Sequence, residues 1–273
     1  MTPAFPAGGP REAFINLTHI PRGSCMSGHS KWATIKHKKA ALDAKRGKVF
    51  TRLIKEIMIA ARNGGDPDGN PRLRTAIAAA KAVSKPNDNI QRAIKRGTGE
   101  IEGGQIEEIT FEGYAPGGAA IMVECATDNR NRTVSEIRHI FSKQGGNLGD
   151  VGSVAWMFER KSQLIIEKDK ATEEQLMNLA LEVGADDVRE EEDNWEVLSA
   201  PEGHNAVVEG FAKAGIPTVS AGIVMIPKNL VEVEPKHAAG FMRLTDALEE
   251  HDDVQNVYTN ADLSDEAMAA SEK

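Results

Sequence analysis

Five cations recur along one stretch of the chain: Lys45, Lys48, Arg52, Lys55 and Arg62 follow one another at intervals of 3, 4, 3 and 7 residues. On an α-helix that spacing gathers them on one face. A row of ammonium and guanidinium groups holds phosphate oxygens, which supply affinity without reading sequence. Between Lys31 and Arg62 the acidic partners are only Asp43 and Glu56. A face that merely keeps a helix in solution mixes signs, as in Glu–Lys pairs four residues apart. Self-repulsion on this scale points to a polyanion that relieves it, ahead of simple solubility and far ahead of an acidic lipid surface. The candidate nucleic-acid contacts are Lys31, Lys36, Lys38, Lys39, Lys45, Arg46, Lys48, Arg52, Lys55, Arg72, Arg74, Lys85, Arg92, Lys95 and Arg96.

No other constellation offers chemistry. There is no Gly-x-x-x-x-Gly-Lys-Ser/Thr phosphate loop. The run Gly145-Gly146-Asn147-Leu148-Gly149-Asp150-Val151-Gly152 follows a helical stretch and precedes an extended one, the reverse of a dinucleotide loop, and reads as a tight turn. Its Gly149-Asp150-Val151-Gly152 lacks the basic residues and flanking helices of a KH loop. Histidines at 19, 29, 37, 139, 204, 237 and 251 have no metal-ligand spacing. Cys125, in the apolar run Val123-Glu124-Cys125-Ala126, reads as a small core residue. Arg189-Glu190-Glu191-Glu192-Asp193 reads as a solvated hairpin tip before a cation site. Asp128-Asn129-Arg130-Asn131-Arg132 either starts a helix or offers two guanidinium groups. The expectation is a protein that is not an enzyme, with no cofactor and no metal.

The elements that carry the cations come from local pattern. Lys- and Ala-rich Ser30 to Ala44 favours helix. From Arg46 to Arg62, Phe50, Leu53, Ile54, Ile57 and Ala61 form an apolar stripe, stopped by Asn63-Gly64-Gly65. Pro71 suits the first position of a helix to Ser84, with Leu73, Ile77 and Ala80 inward and Arg74, Lys81 and Lys85 on another side. Asn87 caps a last short helix, Asp88 to Arg96, ended by Gly97.

Beyond a Gly-rich linker the period turns to strands. Ile109 to Tyr114 and Ala119 to Ala126 form a hairpin across Ala115-Pro116-Gly117-Gly118, and Arg132 to Gln144 is a helix. A strand is expected at Ser153 to Glu159 and another at Gln163 to Glu167. The latter opens a βαββαβ series that runs to Met225. That series has Trp195 as the single aromatic of its strands, among acids, which argues against an RNA-recognition sheet. A strand near Leu230 to Val233, a helix from Lys236 to Glu250 and a strand near Val254 to Tyr258 complete the first sheet.

Charge divides the chain the same way. Residues 26–97 carry 17 Lys and Arg against 5 Asp and Glu, while the whole 273-residue chain has a net charge of −8. A basic module is joined to an acidic body. Aromatics at 5% argue against base reading by stacking. With two cysteines there is no disulfide framework, which suits a reducing cytoplasm.

Met26-Ser27-Gly28-His29-Ser30-Lys31-Trp32, Ile35-Lys36-His37-Lys38-Lys39-Ala40-Ala41 and Asp43-Ala44-Lys45-Arg46-Gly47-Lys48 resemble the opening of the YebC/PmpR family. The resemblance continues through Gly64-Gly65-Asp66-Pro67, Asn70-Pro71-Arg72-Leu73-Arg74, Phe111-Glu112-Gly113-Tyr114, Thr127-Asp128-Asn129-Arg130-Asn131-Arg132-Thr133 and Gly145-Gly146-Asn147-Leu148-Gly149. It implies a cytoplasmic, DNA-binding transcriptional regulator. A branch related to the mitochondrial translational activator of cytochrome oxidase implies the alternative, a ribosome-associated translation factor on structured RNA. A protein partner on the acidic body is a further expectation; a membrane is not.

The expected fold is α+β and multidomain: a basic helical bundle followed by two ferredoxin-like domains, one inserted in the other. Residues 1–25 are expected to be a disordered leader upstream of a start at Met26, and 26–104 the helical domain with its linker. A discontinuous α+β domain spans 105–160 plus 226–262, the βαββαβ insert is 161–225, and 263–273 is a tail.

Overall fold

A computed structural model describes residues 46–83, 86–102, 104–191 and 193–271. Its first unit is helical: α1 (Arg46–Ala61), α2 (Pro71–Ala82) and α3 (Asn87–Gly97). Asn70 organises the first corner. Its Oδ1 accepts from Leu73 N–H at 3.1 Å as the cap of α2, and its Nδ2 donates to the carbonyls of Ala60 at 2.7 Å and Gly64 at 2.8 Å. One buried side chain thus satisfies groups that two helix ends leave open. Ile57, Leu73, Ala80, Ile90 and Ala93 close the core, which Ile106 and Ala126 continue into the sheet body. Gly97 lets α3 cross α1 closely, since a Cβ there would lie 2.4 Å from the Met58 carbonyl oxygen.

The body has two antiparallel four-stranded sheets, each with helices on one face. The host sheet contains β1 (Glu107–Tyr114), β2 (Ala120–Thr127), a short β3 (Asn147–Leu148) and β9 (Val254–Thr259), ordered β3-β1-β2-β9. Alternation sends Ile109, Phe111, Ile121 and Val123 inward, against α4 (Arg130–Lys143) and α7 (Pro235–Glu249). Phe141, Phe241 and Leu244 are fully buried there, each worth about 1.5–3 kcal/mol of transfer free energy. The insert sheet has β4 (Phe158–Glu167), β5 (Asp187–Glu190), β6 (Asn194–Ser199) and β7 (Ser220–Pro227), ordered β5-β6-β4-β7. With α5 (Glu173–Val183) and α6 (His204–Lys213), that is the ferredoxin-like order of a βαββαβ chain. Trp195 is buried in its core beside Leu164, Val197 and Phe211. The outer face of the host sheet, through Met122 and Tyr258, packs on Val154 and Phe158 at the entry to the insert.

Three elements differ from the sequence reading. The strands expected at 153–159 and 163–167 are a 3₁₀ turn, Ala155–Met157, followed by the single strand β4. The buried carboxylate of Glu112 explains the turn: it accepts from the N–H groups of Gly152 at 2.7 Å, Val154 at 2.7 Å and Ala155 at 2.8 Å. The strand expected near 230–233 is a two-residue β8 (Val231–Glu232), paired in parallel with β10 (Ala261–Asp262) and outside the main sheet. The tail expected at 263–273 contains a helix, α8 (Asp265–Ser271), because Leu263 and Ala267 are buried against the host core.

Candidate nucleic-acid interface

Three cations of the basic row of α1 are half-buried against the chain itself. Lys48 Nζ donates to the carbonyl oxygen of Glu250 and Arg52 Nη2 to that of Glu249. Lys55 Nζ donates to the carbonyl oxygen of Asp252 at 3.0 Å and to Asp253 Oδ1 at 2.7 Å. The reason lies in the partner. The last carbonyls of α7 have no N–H donors within their own helix, and the helix end carries partial negative charge. Cations at 48, 52 and 55 fall on successive turns of one face and meet that end together.

Other expected contacts are also engaged within the chain. Arg72 forms a fork with Glu56, Nε to Oε1 at 2.7 Å and Nη2 to Oε2 at 3.2 Å, and reaches Glu108 at 2.8 Å. Hydrogen bonding to Glu56 outweighs dehydration and holds its guanidinium above the ordinary range. Arg74 donates to the carbonyl oxygens of Pro67 at 3.2 Å and Asp68 at 3.4 Å; Arg62, in the α1 row but outside the candidate contacts, donates to that of Ile106. Lys31, Lys36, Lys38, Lys39, Lys45 and Lys85 lie outside the described residues, as does the side chain of Arg46.

What remains open is α3. Its apolar side, Ile90, Ala93 and Ile94, is buried in the module, which turns Arg92, Lys95 and Arg96 to solvent. None of the three side chains has a hydrogen bond or ion pair among the described residues. Lys81 of α2, a basic residue outside the candidate set, is exposed in the same way. The helix period could have singled out all four, but it gives the same weight to the cations of α1.

The Thr127–Thr133 motif serves structure. Asn129 caps α4 by accepting from Arg132 N–H at 3.1 Å. Arg132 Nη2 donates to Asp253 Oδ2 at 2.8 Å, and the hydroxyls of Thr127 and Thr133 reach the same oxygen at 3.1 and 2.7 Å. Asp253 is therefore a buried hub between α1, α4 and the end of β2, a role without a local sequence signal. Burial alone would raise its carboxyl; hydrogen bonds from Lys55, Arg132 and Thr133 outweigh this and hold it well below the usual range.

Glu136, His251 and Asp253 are the one group of three potential ligands found close together among the described residues. Two cations already occupy the Asp253 carboxylate, and His251 spends one ring nitrogen on Glu136 at 2.8 Å and the other on the Asp253 N–H at 3.1 Å. This is an ion-pair network, unsuited to a metal. Cys125 is buried, and dehydration pushes its thiol up to about 12. The Ser162 hydroxyl meets His204 Nδ1 at 2.8 Å, but Ser162 is fully buried, so the pair ties β4 to α6. No helix among the described residues is long and apolar enough to cross a membrane.

Comparison with known proteins adds an independent line. The profile described as "TACO1/YebC protein N-terminal domain" matches residues 30–100, and that of the "TACO1/YebC second and third domain" matches 106–261. A "probable transcriptional regulatory protein" of Solibacter usitatus is 66% identical over 245 residues, covering 90% of this chain and 99% of its own. One of the same description from Acidobacterium capsulatum is 63% identical over 238 residues, covering 87% and 97%. The crystal structure of a conserved hypothetical protein from Aquifex aeolicus is similar with a TM-score of 0.79 and 48% identity, covering 86% of this chain and 98% of that one.

Proposed function

The chain belongs to the TACO1/YebC family, and from that premise we propose that it is a cytoplasmic, non-catalytic DNA-binding regulator of transcription. One observation carries the nucleic-acid part of the proposal: Arg92, Lys95 and Arg96 stand exposed on one helix without acidic partners among the described residues, in a module of strongly positive charge. Such a face grips phosphates and positions a duplex without reading its bases. The acidic body limits non-specific attachment to other polyanions by repulsion.

Crosslinking in cells, with sequencing of both the DNA and the RNA recovered, tests the proposal. Enrichment of promoter DNA is the expected result. Dominance of ribosomal RNA would replace it with a translation factor acting on structured RNA through the same face. In vitro, the Arg92→Gln, Lys95→Gln, Arg96→Gln triple variant should bind a labelled duplex at least tenfold more weakly, as expected when several phosphate contacts are lost. Unchanged affinity would remove α3 from the interface.

A further inference from the structure

We propose that the C-terminal end of α7 is an internal stand-in for phosphate, closing a second polyanion-binding row on α1 until nucleic acid competes for it. The proposal rests on the nucleic-acid reading of the helical module. Lys48, Arg52 and Lys55 are the cations of that row, and their acceptors are the carbonyl oxygens of Glu249, Glu250 and Asp252 together with the Asp253 carboxylate. Three cations thus meet a row of oxygens drawn from the five residues 249–253, as a phosphate backbone also presents a row of oxygens to a helix face.

The closure is only partly compensated. Among the described residues, Lys55 alone of the three forms an ion pair, with Asp253; Lys48 and Arg52 contact backbone carbonyls, which carry partial charge. Dehydration lowers the Arg52 guanidinium from its ordinary range, with only a partial return from Glu249 and Asp252 nearby. A phosphodiester brings a full charge to the same donors and is the stronger acceptor. Release of Lys55 does not dismantle the hub, because Asp253 keeps Arg132, Thr127 and Thr133. The sheet body can therefore stay folded while these three cations exchange partners, the module remaining attached through Ile106 and Ala126.

The turn after α7 reports the state of the closure. Glu250 N–H donates to Asp246 O at 2.8 Å, His251 N–H to Leu248 O at 3.1 Å and Val254 N–H to His251 O at 3.2 Å. The test uses the full chain and a short, labelled, random-sequence DNA duplex, with binding followed by anisotropy and these amides by hydrogen exchange. With saturating duplex they should exchange about tenfold faster than without it, as expected of a locally opened segment. Binding by anisotropy with these amides unchanged or slower would overturn the proposal and leave the α3 interface standing. No binding at all would overturn the nucleic-acid reading itself.

A variant gives a second readout. Asp252→Asn weakens the charge that faces Arg52 and keeps the backbone oxygen that accepts from Lys55. It should raise duplex affinity about threefold above Glu173→Gln, an equal charge change at an exposed position of α5, in line with the modest worth of a surface charge. Equal affinities of the two variants would count against the closure.

Discussion

Lys55 Nζ lies 2.7 Å from Asp253 Oδ1, although 198 residues separate them in the chain. The pair joins the helical module to the host sheet, with side chains 14% and 5% exposed. Because Arg132 shares the carboxylate, α1 and α4 are both referred to one anion at the start of β9.

Acid should undo this junction. The folded carboxyl of Asp253 is depressed below the unfolded value of about 3.9, so its stabilising contribution is complete above that pH and is lost as pH falls through the folded value. Thermal unfolding followed from pH 6 to pH 2 should show a steep acid limb in the native chain. Asp253→Asn should cost about 3 kcal/mol near neutral pH, as when one partner of a buried pair is removed, and should flatten that limb. An unchanged limb would mean that the hub contributes little.

Glu112 should matter through the turn it holds. Burial favours its neutral form, yet three backbone N–H donors outweigh this and lower its carboxyl. Glu112→Gln retains one oxygen for those donors and turns an NH₂ toward them. A loss of about 2 kcal/mol is expected, with faster hydrogen exchange at Gly152, Val154 and Ala155. The same loop carries Val151 and Trp156 into solvent, so its side chains offer little packing to compensate.

Gly97→Ala separates propensity from packing. Within a helix, Ala is favoured over Gly by about 1 kcal/mol. Here a Cβ would meet the Met58 oxygen at 2.4 Å and the Ala61 Cβ at 2.7 Å. Chemical denaturation should show a net loss of about 1–3 kcal/mol, the usual cost of overpacking. A more stable variant would mean that α1 and α3 can move apart freely.

Asn70 can be divided by two substitutions. Asn70→Asp keeps the cap of α2 but loses the donors to Ala60 and Gly64; Asn70→Ala loses all three bonds. Asn70→Ala should be the less stable, and the difference from Asn70→Asp should be about 1 kcal/mol, the worth of a cap. Equal denaturation midpoints would show that the cap adds nothing.

Salt dependence tests the α3 face directly. Arg92→Gln with Arg96→Gln should lower the slope of log affinity against log salt by about 1–2 units on duplex DNA. Neutralising Glu190 and Glu191 on the insert hairpin should leave the slope nearly unchanged. Equal slopes for the native and Arg variants would make α3 an ordinary solvated helix.

The sequence alone determined the local features of this protein. The apolar period of α1, Pro71 at the head of α2, Gly97 at the end of α3 and the alternation in β1 and β2 all act between residues close in the chain, so pattern reveals them. Family resemblance and the split between a basic module and an acidic body were legible for the same reason. Tertiary structure decided which cations meet solvent. Lys48, Arg52 and Lys55 are of the same types as the exposed residues of α3 and likewise share one helix face, but the end of α7 comes against them from about two hundred residues away. It also decided the strand boundary near Phe158 through Glu112, and the burial of Ala267 that orders α8. Periodicity gives a helix its faces; only packing says which face is covered, because burial depends on elements remote in sequence.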